Sequence, residues 1–68
     1  MTLDFSKTIL EKVSFDRYLF SKELRKLVIW MGNEHDEVKN LYKWCVDNFG
    51  QEYSDVIHQV FDRQQFKD

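Results

Sequence analysis

The sequence predicts an all-α protein, a compact small bundle of three long helices and a short N-terminal helix. Apolar residues recur at intervals of three and four, and there is no proline. The two glycines, Gly32 and Gly50, each follow such an apolar stretch. We expect each to end a helix in the left-handed conformation, which glycine adopts without steric cost. A chain of 68 residues indicates one domain, residues 1–68.

The N-terminal half is predicted to hold the short helix, residues 6–13, with Ser6 as its N-terminal cap. Residues 17–31 form the strongest helix, and Asp16 is the expected cap. Phe15 is spaced to pack against the fourth residue of this helix as a hydrophobic staple. The predicted core stripe of the helix has the i, i+3, i+4 spacing of one buried face: Phe20, Leu24, Leu27, Val28 and Met31.

A second interpretation of this half stays open. Apolar residues from Leu10 to Met31 alternate by three and four positions, with Arg17 as the only defect, which also suits one unbroken helix over residues 6–31. Two helices are favoured because Ser14 and Asp16 are residue types that prefer turns and caps.

The C-terminal half is predicted to hold two helices, residues 34–49 and 52–64, followed by a frayed polar tail, residues 65–68. Asn33 is the expected cap of the first of them. Because the connections are short, we expect successive helices to be neighbours in space. The predicted core stripes are Val38, Leu41, Tyr42, Cys45 and Phe49 in one helix, and Tyr53, Val56, Ile57, Val60 and Phe61 in the other.

Charge is distributed unevenly along the chain, although the net charge is only −2. Residues 1–31 contain six basic and four acidic side chains, whereas residues 32–68 contain four basic and eight acidic ones. A basic front and an acidic back favour head-to-tail or intramolecular complementarity over the binding of a polyanion.

Localisation is predicted as cytoplasmic and soluble. The lone Cys45 favours a reducing compartment. The N-terminus lacks the order of charged and apolar residues typical of a signal peptide. The longest apolar run, residues 27–31, is far shorter than the roughly 20 residues of a membrane-spanning helix.

Residue types that support catalysis or metal binding do not form a convincing pattern, so we predict a non-enzymatic protein without a metal or cofactor. His35 and His58 lie on different predicted helices, whereas a helical zinc site needs histidines four residues apart and a converging third ligand. Asp55 and His58 lie off the apolar stripe of their helix. Cys45 lies within a core stripe, about 15 Å along the helix from His35, which is too far for a catalytic dyad.

Surplus apolar residues outside the core stripes are the most suggestive functional feature. Tyr and Trp, with Arg, dominate the energetics of protein interfaces. We therefore predict a protein–protein interaction or accessory module that binds a protein partner or associates with itself, with no small-molecule substrate. The candidate partner-binding residues are Tyr18, Lys22, Arg25, Ile29, Trp30 and Trp44.

The alternative function is a nucleic-acid-binding regulator that uses the basic N-terminal half. The two helices on either side of Gly32 have the order of a helix-turn-helix motif. However, the second of them would place Glu34, Asp36 and Glu37 against phosphates, and the sequence pI of about 5.6 is low for a nucleic-acid-binding domain. Nucleic acid is therefore the less favoured partner.

Overall fold

Four helices make up the computed structural model, which describes residues 3–32 and 34–64. Within those ranges there is no strand, so the predicted all-α bundle is confirmed, with two helices rather than one in the N-terminal half. Asn33 and the predicted tail, residues 65–68, lie outside the described residues. The helices are α1 (Leu3–Lys12), α2 (Arg17–Trp30), α3 (His35–Phe49) and α4 (Ser54–Gln64).

Helix α1 begins three residues earlier than predicted, so Ser6 is not its cap. Ser6 lies inside the helix and is completely buried, because its small side chain allows the helix to pack closely against the core. Asp4 lies in the first turn, where a carboxylate is stabilised by the helix dipole. The Ser14 hydroxyl donates to the Glu11 carbonyl just after the helix ends.

Helix α2 begins as predicted, with Asp16 as its cap. The Asp16 backbone is extended, and its carboxylate accepts a hydrogen bond of 3.1 Å from the Leu19 amide. The bond satisfies one of the amides that a helix leaves unpaired at its start. Phe15 does not form the expected staple, since 79% of its surface is exposed while Phe20 is buried.

Neither glycine adopts the predicted left-handed conformation. Gly50 has φ −60° and ψ −32°, which is right-handed helical, and Gly32 also lies outside the positive-φ range. The reason for glycine at position 50 is instead a close approach of backbone: a Cβ there would clash with the Val46 carbonyl. At Gly32 a Cβ would lie 3.2 Å from the Ile29 carbonyl oxygen, a tighter contact than usual.

The helices pack so that α1 and α4 each contact both α2 and α3. Although α2 and α3 are joined by a short turn, their backbones make little contact, so the expectation that successive helices are neighbours is wrong for this pair. Their side chains still meet in the core, where the Phe20 and Phe49 rings lie edge to face with centroids 5.0 Å apart.

The core contains the predicted stripes. Every buried apolar residue among those described, except Leu10 of α1, belongs to one of them, while Tyr42 and Phe49 of the predicted stripes are only partly buried. Phe20 stacks on Tyr53 with ring centroids 4.5 Å apart, and Tyr42 packs edge to face on Phe61. Such aromatic pairs add about 0.5–1.5 kcal/mol beyond their buried area, which matters in a core this small.

Two contacts join the α1–α2 turn to the start of α4. The Tyr53 hydroxyl donates a hydrogen bond to the Ser14 carbonyl, and Arg17 forms an ion pair with Asp55. The N-terminal end of α2 therefore lies beside the α3–α4 connection, at one end of the bundle. The C-terminal end of α2 points away from it.

Candidate protein-binding surface on α2

The outward surface of α2 carries four of the predicted partner-binding residues in one stripe. Tyr18, Lys22, Arg25 and Ile29 are spaced by four, three and four positions, which places them along one side of an α-helix. This side is opposite the buried stripe of α2. Tyr18 is 72% exposed and Ile29 is 56% exposed, so the structure leaves both apolar side chains open to solvent.

Trp30 extends this surface at the C-terminal end of α2. Its side chain is 73% exposed, although tryptophan is normally buried over most of its area. Trp30 lies one helical turn after Lys26, just as Ile29 lies one turn after Arg25. The C-terminal end of α2 thus presents two apolar side chains, each with a cation one turn before it. We call Arg25, Lys26, Ile29 and Trp30 the α2 patch.

Trp44 is separate from this surface. It lies on α3, is partly buried and packs against the core, with its ring edge to face on Phe49 at 5.5 Å. The Lys7 ammonium from α1 lies 5.8 Å from the centroid of the indole ring, within the range of a cation–π interaction. The structure therefore does not bring Trp44 together with the other five candidates.

The electrostatic character of α2 is basic on its outer side. Arg17 is already paired with Asp55 of α4. Lys26 has a looser ion pair with Glu23, with 3.8 Å between its nitrogen and a carboxylate oxygen. Within residues 3–32 and 34–64, Lys22 and Arg25 have no ion-pair partner, so both can meet a carboxylate from another molecule.

One exposed residue on this side was not among the candidates. Phe15 precedes Tyr18 by three positions and continues the stripe beyond the start of α2, with most of its ring in solvent. Its spacing from Phe20 predicts a staple that the structure does not form. The sequence signal that could have identified it is the heptad-like spacing of residues 15, 18, 22, 25 and 29 on the outer side of the helix.

The other residues considered for chemistry lie apart from one another. Cys45 is fully buried, as predicted for a core residue, and burial raises the pKa of its thiol to about 12. Asp55 and His58 are exposed on α4. Across the described ranges, no three His, Cys, Asp or Glu side chains come close enough to hold a metal ion. The same residues include no helix with the length and hydrophobicity to cross a bilayer.

No protein-family model, curated protein or solved structure matches this chain significantly.

Proposed function

We propose that this protein is a non-enzymatic interaction module that binds a protein through the outer side of α2. The observation that carries the proposal is the exposure of Tyr18, Ile29 and Trp30 on one helix, with Lys22 and Arg25 between them. Single exposed apolar residues are ordinary on protein surfaces. A tyrosine, an isoleucine and a tryptophan on one helix, each more than half exposed, are a larger concentration.

The chemistry of this surface suits a protein partner. Tyrosine, tryptophan and arginine supply much of the binding energy in protein interfaces, because they combine a large apolar area with a polar or charged end. Lys22 and Arg25 lie in the middle of the stripe, where they can pair with carboxylates of the partner. The proposed partner surface is therefore apolar with acidic groups.

Position-specific photocrosslinking tests the proposal without a known partner. A benzophenone amino acid at position 18, 29 or 30 is expected to form covalent adducts with a protein, including another copy of this chain, in the cells that produce it. The control position is Gln59, which is exposed on α4. Adducts of similar yield at position 59, or none at the three α2 positions, would contradict the proposal.

Nucleic acid remains the second candidate, favoured by the cations of α2. Of its four cations, Arg17 and Lys26 already have carboxylate partners within the bundle. Two remaining cations predict a shallow dependence of duplex affinity on salt, with a log–log slope of roughly −2. Binding to a DNA or RNA duplex at low salt with a log–log slope near −2 would favour this candidate, and no binding at low salt would remove it.

A further inference from the structure

We infer that the partner of the α2 patch is a second copy of this chain, which binds it through an acidic depression at the α3–α4 connection. This inference rests on the proposed function and specifies its partner. It follows from three properties of the molecule: an acidic concave surface, a basic apolar patch, and the position of these two surfaces at opposite ends of the bundle.

The acidic depression is an open concavity of about 750 Å³ at the end of α3. Asp47 and Glu52 contribute two carboxylates, and no cation is among the lining residues. Val46 contributes an exposed apolar side chain at the same place. The lining residues are Val46, Asp47, Asn48, Gly50, Gln51 and Glu52.

The α2 patch has the complementary chemistry. It offers two cations for the two carboxylates of the depression: Arg25, and Lys26, whose ion pair with Glu23 is loose at 3.8 Å and can be exchanged. Its Trp30 ring projects into solvent and is small enough to enter a concavity of this volume. Ile29 lies beside it and can cover Val46. The two surfaces thus carry opposite charges, and each also has apolar side chains, as a specific contact requires.

The two surfaces cannot meet within one molecule. The Arg17–Asp55 ion pair holds the start of α2 beside the α3–α4 connection, and α2 then runs 14 residues to Trp30. At 1.5 Å per residue this is about 20 Å, most of the 30 Å length of the bundle. A contact between the α2 patch of one copy and the acidic depression of another therefore joins the two copies end to end. Because the two surfaces differ, the contact is heterologous and extends into a chain or a ring.

The position of other charges restricts the contact to the flank of α2. Glu34 and Asp36 are exposed at the start of α3, close in sequence to Trp30. A carboxylate-lined depression placed over them would be repelled, so it must approach from the side of Arg25 and Lys26.

A patch of four residues is smaller than the roughly 800 Å² per partner of a standard interface, which predicts weak, salt-sensitive association.

Sedimentation equilibrium of two complementary variants tests the inference. Ile29→Ser/Trp30→Ser removes the apolar part of the α2 patch, and Asp47→Lys/Glu52→Lys reverses the charge of the depression. We expect the mass of the wild-type protein to rise above 8.4 kDa as its concentration approaches about 1 mM at low salt. Each variant alone should stay monomeric. An equimolar mixture should form a dimer and stop there, because each variant retains one of the two surfaces.

A matched control separates the depression from general charge effects. Glu11→Lys/Asp62→Lys changes the net charge equally at two other exposed positions and is expected to associate like the wild-type protein. Circular dichroism confirms that all variants are folded. If this control also loses association, the depression is not the site.

The remaining outcomes separate this inference from the proposed function. A wild-type protein that is monomeric throughout overturns the second-copy inference, while crosslinks at positions 18, 29 and 30 to a different protein would still support the proposed function. If the wild-type protein associates but the mixture of variants does not, the contact between the α2 patch and the depression is overturned. If the Asp47→Lys/Glu52→Lys variant still associates by itself, two α2 surfaces meet each other instead. In that case the depression is excluded as the binding site, and the proposed function of the α2 surface stands.

Discussion

Both sides of α2 carry large apolar side chains, but the two sides have opposite environments. On the inner side Phe20 and Leu24 are completely buried, whereas on the outer side Tyr18 and Trp30 are more than 70% exposed. A helix with one buried stripe needs apolar residues only on the inner side. Packing of the inner side therefore accounts for the fold, whereas most of the surface of the outer apolar side chains stays uncovered within one described copy.

The largest effect should come from the inner side. Phe20→Ala removes a ring that stacks on Tyr53 and lies edge to face on Phe49. We expect a loss of about 3–5 kcal/mol in the free energy of unfolding, which is most of the stability of a domain this small. Urea unfolding followed by circular dichroism measures it. A loss below about 1 kcal/mol would show that the inner side is loosely packed.

Titration of the buried Cys45 thiol tests how well the core excludes water. In the unfolded chain the thiol ionises near its ordinary pKa of 9.0, whereas burial in the folded protein raises this pKa to about 12. The unfolded state therefore holds fewer protons between these values, and stability falls as the pH rises from 9 towards 12.

The expected slope is about 1.4 kcal/mol per pH unit in this range. Urea unfolding at a series of alkaline pH values measures it. Cys45→Ala is the control, because it keeps every other titrating group and should lose stability less steeply with pH. Equal slopes for the two proteins would mean that the thiol is already hydrated in the folded state.

The cap of α2 should have an intermediate effect. Asp16→Ala removes the acceptor for the Leu19 amide and is expected to cost about 1 kcal/mol in unfolding free energy. Asp16→Asn is the matched control, since asparagine also caps helices well. A comparable loss in both variants would indicate that the charge of Asp16, rather than its capping bond, stabilises the helix.

The smallest effect on stability should come from the outer side. Trp30→Ser is expected to change the unfolding free energy by no more than about 0.5 kcal/mol at a concentration where the protein is monomeric. The comparison with Phe20→Ala is then direct, because both variants remove an aromatic ring from the same helix. A cost above about 2 kcal/mol for Trp30→Ser would mean that this ring stabilises the folded monomer.

Much of the candidate surface could be predicted from the sequence, and the part that could not depends on distant residues. The outer positions of Tyr18, Lys22, Arg25 and Ile29 follow from the period of α2 alone. The sequence predicts Trp44 as a fellow contact residue because it lies off the stripe of its own helix. The structure covers it with Lys7 and Phe49, and Lys7 is 37 positions away along the chain, beyond any periodic signal.

By itself, the sequence determined the four helices and the residues that form the core, because helical periodicity and capping are local properties of the chain. The tertiary structure decided which of the remaining apolar residues are covered and where the charged surfaces lie. It also decided that Gly50 avoids a clash with a carbonyl rather than adopting a left-handed turn. These features depend on how whole helices are placed relative to one another, and that placement put the α2 patch and the acidic depression at opposite ends of the bundle.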